Sequence, residues 1–149
     1  MSEVKKRLGT ILDSPKLNGE EKLQKICNLL DQEHPHFNWT GFYFRNGDKE
    51  ELVLGPFVGA ETEHTTIPFG KGICGQVAVS GNTFLVPDVQ QQDNYLSCSA
   101  ETKAEIVIPI FKNGENVGQL DIDSHSLDPF SSEDREMLEW LCAEIPKII

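Results

Sequence analysis

Positive charge is scarce in this chain of 149 residues: 13 Lys and Arg stand against 24 Asp and Glu, a formal net charge of −11. Nucleic acid and anionic membranes both select for Lys and Arg, so this balance argues against either as a partner. Long apolar runs are missing too, and none approaches the ~20 residues needed to cross a bilayer. The opening stretch Met1-Ser2-Glu3-Val4-Lys5-Lys6-Arg7 leads into no apolar segment of the kind a secretory signal requires. The expected compartment is the cytosol, where thiols stay reduced. Cysteine is sparse, with four residues at 27, 74, 98 and 142 and no C-x-x-C pair, which argues against a zinc ribbon or finger. His34-x-His36 flanks Pro35 far from any cysteine and reads as an exposed loop. No repeat, low-complexity tract or linker divides residues 1–149, so a single domain is expected.

What is present alternates between helical and strand periodicity. Val4 to Asp13 is compatible with a helix ending at Ser14-Pro15. Asn18, with Glu21 three positions on, predicts a capped helix whose face is Leu23, Ile26, Cys27 and Leu30. Strands are expected over Trp39–Phe44, Glu51–Leu54, Thr65–Ile67, Thr83–Val86, Glu105–Phe111 and Val117–Asp123. Asn46-Gly47 and Asn113-Gly114 mark two hairpin turns, because both residue types tolerate positive φ. A short helix fits Ile73 to Val79, closed by Gly81, and Asp88 to Thr102 reads as a polar loop or irregular helix. The last helix starts at Ser131, with Asp134 as its partner in the cap, and turns Met137, Leu138, Leu141, Cys142 and Ile145 to one face. This order predicts an α+β fold: a largely antiparallel sheet with N- and C-terminal helices packed on one face.

The four cysteines divide by context. Cys27 and Cys142 lie on helical apolar stripes and read as buried small hydrophobes. Cys74 and Cys98 lie in glycine- or serine-bordered segments, where thiols outside the core suggest chemistry. Two readings stand for Cys74: a thiolate stabilised at a helix N-terminus, or a small residue tucked under a tight turn. Cys98, between Ser97 and Ser99, is expected in an exposed loop.

Asp121 and Asp123 flank Ile122 on a strand, so both carboxylates point to one face. Adjacent acids raise at least one pKa, which suits proton donation near neutral pH, and the pair also suits an ammonium group. Glu105, at the start of the preceding strand, can face the same pocket. The competing reading is a solvated sheet edge or a divalent-cation site. Trp39 and Tyr43 share a strand face across Gly41, either as the aromatic wall of a pocket or as core.

Taken in order, these residues resemble the free methionine-(R)-sulfoxide reductases, a catalytic branch of the GAF domains. The resemblance is carried by Trp39-Thr40-Gly41-Phe42-Tyr43, Leu54-Gly55-Pro56-Phe57, Ile67-Pro68-Phe69-Gly70-Lys71-Gly72-Ile73-Cys74-Gly75 and Val86-Pro87-Asp88-Val89. It continues through Cys98, Glu105-Ile106-Val107-Ile108-Pro109, Gly118-Gln119-Leu120-Asp121-Ile122-Asp123-Ser124 and Phe130-Ser131-Ser132-Glu133-Asp134.

It implies a GAF-like fold, a homodimer, free methionine sulfoxide as substrate, thioredoxin as external reductant, and neither a bound cofactor nor a resident metal. It also implies that Cys98 attacks the sulfoxide sulfur and that a second thiol resolves the resulting sulfenic acid. Glu105, Asp121 and Asp123 would hold the ammonium and protonate the departing oxygen, with Trp39 and Tyr43 around the methyl end. The family's third cysteine, just before the Ile-Pro motif, is missing from Ala60-Glu61-Thr62-Glu63-His64-Thr65-Thr66. Resolution would then fall to Cys74 or an external thiol. The alternative is a non-catalytic GAF module that binds a small amino-acid-like ligand or senses redox state.

Overall fold

Residues 2–96 and 100–149 are described by the structure, a computed structural model. Two helices, α1 (Glu3–Asp13) and α2 (Gly19–Glu33), precede the first hairpin, β1 (Trp39–Arg45) and β2 (Glu51–Val58). There follow β3 (Thr66–Pro68), α3 (Gly72–Ser80), β4 (Phe84–Val86), the long hairpin β5 (Ala104–Lys112) and β6 (Glu115–Ser124), and α4 (Ser132–Glu144). Both expected capping boxes form. Asn18 Oδ1 accepts from Glu21 N at 2.8 Å while Glu21 Oε1 accepts from Asn18 N at 3.2 Å, and Ser131 and Asp134 repeat the exchange at 3.0 Å each way. Each box satisfies donors that a helix start otherwise leaves unpaired.

The six strands form one antiparallel sheet in the order β3-β2-β1-β6-β5-β4. The β5–β6 turn is Asn113-Gly114 with φ of 53° and 81°, the left-handed pair that a tight hairpin demands. β2 runs four residues past its expected end at Leu54, through Gly55-Pro56-Phe57-Val58. Proline cannot donate to a ladder, but the β1–β2 register shifts between Gly41 and Tyr43, and this bulge accommodates Pro56.

Strand alternation divides the side chains between two cores. Phe42, Ile106, Ile108, Ile110, Leu120 and Ile122 face α1, α2 and α4, against Leu8, Ile26, Leu30, Leu138 and Leu141. The expected packing of the terminal helices on one face is therefore present. Cys27 and Cys142 lie in that core, where burial pushes both thiols far above their ordinary pKa. On the opposite face Trp39, Tyr43 and Val107 pack with Ile73, Cys74 and Val77 of α3.

Candidate active site

The centre of the sheet presents a polar row on the α3 side. Gln119, Asp121 and Asp123 follow one another at period two along β6. Their partners on β1 are Tyr43, Gly41 and Trp39, and on β5 they are Pro109, Val107 and Glu105. Three carboxylates thus gather from two neighbouring strands, at 4% exposure for Glu105 and 1% each for Asp121 and Asp123. These values rule out the solvated-edge reading of the pair. Burial of charge is costly unless it is met by hydrogen bonds, protons or a counter-ion.

Cys74 sits over this row in the first turn of α3. Its Sγ lies 3.9 Å from Glu105 Oε2, and single donor atoms of Cys74, Glu105 and Asp121 all fall within 4.8 Å of one another. Gln119 Nε2 donates to the Cys74 carbonyl at 3.1 Å, tying α3 to β6 beneath it. Each of the two readings open for Cys74 finds part of its geometry: the residue stands in the first turn of α3, as the first requires, and is buried in the α3-side core, as the second requires. The expectation of a thiol outside the core is corrected here. Burial pushes the Cys74 thiol well above its ordinary value, and the charges of Asp121, Glu105 and Asp123 push it further. Desolvation and three acids outweigh whatever a helix N-terminus offers. Burial likewise raises Asp121, with hydrogen bonds to Glu105 and Cys74 pulling the other way.

The aromatic wall is fixed by its polar handles. Trp39 Nε1 donates to the Ala60 carbonyl at 3.0 Å, and the Tyr43 hydroxyl donates to the His64 carbonyl at 2.8 Å. Trp39 stacks on Tyr43 at 6.2 Å between ring centroids and on Phe57 at 5.5 Å. Both bonds reach into the segment between β2 and β3, so that segment holds the rings in place. A narrow pocket of about 10 Å³, lined by Tyr43, His64, Lys71, Cys74, Glu105 and Asp121 among others, opens beside this wall. Trp39 and Asp123 stand next to it on the same sheet face. A larger open groove between α1 and α2, lined by Arg7, Lys25 and Asn28, gathers neither carboxylates nor thiols.

The structure therefore brings Tyr43, Cys74, Glu105 and Asp121 to one pocket, with Trp39 and Asp123 flanking it. Cys98 lies outside the described residues; the chain lines the pocket at Leu96, and Asn94 braces the start of α3 by bonding Gly70 O and Gly72 N at 2.7 and 2.8 Å. Gln119, Phe57 and His64 join the site beyond the residues that the sequence patterns mark. Gln119 was within reach of the period-two argument that found Asp121 and Asp123. Phe57 and His64 depend on the β1–β2 bulge and on a loop path that no local pattern encodes.

The GAF domain model matches residues 18–146. The chain is 36% identical over 127 residues to the free methionine-R-sulfoxide reductase of Escherichia coli, covering 85% of this chain and 75% of that one. It is 43% identical over 112 residues to the yeast enzyme of the same name, covering 74% of this chain but only 62% of the longer yeast protein. The free methionine-R-sulfoxide reductase of Neisseria meningitidis, solved in complex with its substrate, superposes with a TM-score of 0.89 at 34% identity, over 97% of this chain and 85% of that one. The chain belongs to the GAF-domain family, in the branch formed by the free methionine-R-sulfoxide reductases.

Proposed function

We propose that this protein reduces free L-methionine-(R)-sulfoxide to methionine with a cysteine thiol. The observation that carries the reading is the buried row of Glu105, Asp121 and Asp123 beside the Trp39–Tyr43 wall. A free amino acid offers an ammonium, which suits the acids, and a methyl sulfoxide, which suits the aromatic surface. A methionine inside a polypeptide has its α-nitrogen in a peptide bond and offers no ammonium. The likeness to reductases of free methionine-R-sulfoxide, one solved with its substrate, supports the same reading.

In this reading Cys98 is the attacking thiol. Its sulfur takes the sulfoxide oxygen as the substrate's S–O bond breaks, leaving methionine and a sulfenic acid on Cys98. Asp121, raised by burial, holds its proton more tightly than an ordinary carboxyl and would protonate the departing oxygen. Glu105 and Asp123 share in holding the ammonium. A second thiol then condenses with the sulfenic acid, releasing water and leaving a disulfide, and the dithiol of thioredoxin reduces that disulfide by exchange. The second thiol is that of Cys74 or an external one. The burial of Cys74 among three acids favours the external thiol. A homodimer and a cytosolic location complete the proposal; no helix among the described residues is long and apolar enough to cross a membrane.

The test is NADPH consumption in a thioredoxin-coupled assay with free methionine-(R)-sulfoxide. Turnover that requires Cys98 supports the reading. Absence of turnover with saturable binding of free methionine would instead make the chain a ligand-binding GAF module, the outcome that the missing third cysteine leaves in play.

A further inference from the structure

Cys74, Glu105 and Asp121 have a property that reduction of a sulfoxide does not call for. They offer one sulfur and two carboxylate oxygens, from α3, β5 and β6, with those atoms within 4.8 Å of one another. Two ligands on a tetrahedral zinc ion, with bonds of about 2.0–2.3 Å, stand roughly 3.5 Å apart. The 3.9 Å between Cys74 Sγ and Glu105 Oε2 is within a small side-chain adjustment of that spacing.

Two further observations point to a ligand rather than to packing. Asp121 is 1% exposed and lines the pocket, yet its Oδ1 has no hydrogen-bond partner among the described residues. The neighbouring Gln119 amide, fully buried and bonded to Cys74 O through Nε2, likewise leaves Oε1 unpartnered among those residues. Buried polar atoms without partners are rare and call for an occupant. The pocket volume of about 10 Å³ is that of a single water or a bare ion.

We propose that Cys74, Glu105 and Asp121 form a binding site for a borderline divalent cation, zinc, whose occupation closes the pocket to a substrate ammonium. Zinc is favoured over magnesium or calcium because thiolate is a ligand for the former and not the latter pair. On binding, the Cys74 thiol gives up its proton to solvent, and the resulting thiolate and the two carboxylates become ligands; a water takes the fourth position. A divalent charge in the pocket also reverses the local electrostatics that keep Cys74 protonated. The block of catalysis rests on the substrate reading above, whereas the binding itself does not.

The experiment measures binding directly, on the reduced full chain without substrate, by equilibrium dialysis against zinc. A parallel titration with cobalt reads the thiolate-to-metal charge-transfer absorption. The expected result is about one zinc per chain, with affinity lowered more than about tenfold in Cys74→Ser and in Asp121→Asn, since even outer partners of a metal cost that much when removed. Circular dichroism keeps loss of fold distinct from loss of a ligand. The cobalt band should vanish in Cys74→Ser, and free methionine should compete for the site. No saturable binding at micromolar zinc, or binding unchanged in both variants, would overturn the site. Loss of binding in His36→Ala alone would overturn it equally by placing the ion elsewhere. Zinc binding as expected in a protein that does not turn over methionine sulfoxide would leave the site standing and reject only the enzymatic reading.

Discussion

The indole of Trp39 lies across the α-carbon of Gly41: a methyl group added at Gly41 would come within 2.5 Å of ring atom Cη2 and 2.8 Å of Phe57 Cβ. Gly41 also pairs with Asp121 across β1 and β6, so the glycine holds open the space between the aromatic wall and the acid row. Side-chain volume at this position is what the site cannot accept. Overpacking of this kind costs about 1–3 kcal/mol. Relieving that clash by displacing the ring would remove part of the proposed substrate wall, so Gly41→Ala should raise KM by about tenfold, equivalent to about 1.4 kcal/mol of lost binding, while changing kcat less. Steady-state kinetics, with the shift in Trp39 fluorescence as a check on ring position, measures it. An unchanged KM would dissociate the ring from substrate binding.

The carboxylates should matter through the substrate's ammonium. A hydrogen bond to a charged group contributes about 1.5–3 kcal/mol, so Glu105→Gln should raise KM by roughly ten- to a hundredfold. N-acetylmethionine sulfoxide, which has no ammonium, should be a poor substrate for the wild type. It should lose little further in the Glu105→Gln variant. Comparable losses on both substrates would remove Glu105 from ammonium binding.

Cys74 and Cys98 should separate cleanly. With burial and the surrounding acids holding Cys74 as a neutral thiol, it should react with iodoacetamide at pH 8 far more slowly than a free cysteine does. Cys74→Ser should retain turnover with thioredoxin, and Cys98→Ser should lose it. Thiol counting after one equivalent of substrate, in the absence of reductant, reads whether Cys74 pairs with Cys98. A loss of turnover in Cys74→Ser, with a Cys74–Cys98 disulfide in the wild type, would assign resolution to Cys74 instead.

Asp121 makes a prediction about stability and pH. Its folded pKa is raised above the ordinary 3.8, chiefly by desolvation, so the folded state binds the proton more tightly than the unfolded state. Stability from this group falls as pH rises from about 3.8 through the folded pKa, because there the folded chain carries more protons than the unfolded one. Asp121→Asn removes that slope. Urea denaturation at a series of pH values should show the variant gaining stability relative to wild type as pH rises through the window. A gain in the opposite direction would mean that the carboxylate is stabilised in the fold.

Much of this architecture is legible in the chain because it depends on periods. The 3.6-residue stripe places Cys27 and Cys142, the capping residues place the starts of α2 and α4, and the period of two places Asp121 and Asp123 on one face. The site is only half legible. Glu105 and Asp123 meet because of hairpin register, which Asn113-Gly114 begins but does not complete: the turn alone would set Glu105 opposite Ile122, and the shift between Ile110 and Phe111 brings it to Asp123. Flanking glycines leave Cys74 open between two readings, because they signal a turn but say nothing about what packs over it. Here α3 packs on the sheet, with Gly72 against Leu96 and Gly75 against the backbone of Pro68 and Gly70. Phe57 reaches Trp39 only because Gly55-Pro56 sits in a bulge, a two-strand property that neither strand's sequence carries by itself.

The alternation along β6 has one more consequence. Leu120 and Ile122 belong to the helix-side core, while Gln119, Asp121 and Asp123 look the other way. A slip of one residue in the β5–β6 pairing would drive the acids among α1, α2 and α4 and put leucine and isoleucine where the substrate is proposed to sit. A one-residue error in this hairpin therefore cannot yield a well-folded but chemically scrambled molecule. Such chains would unfold and be cleared by proteolysis, so cellular quality control would screen for competence at the same time as it screens for structure.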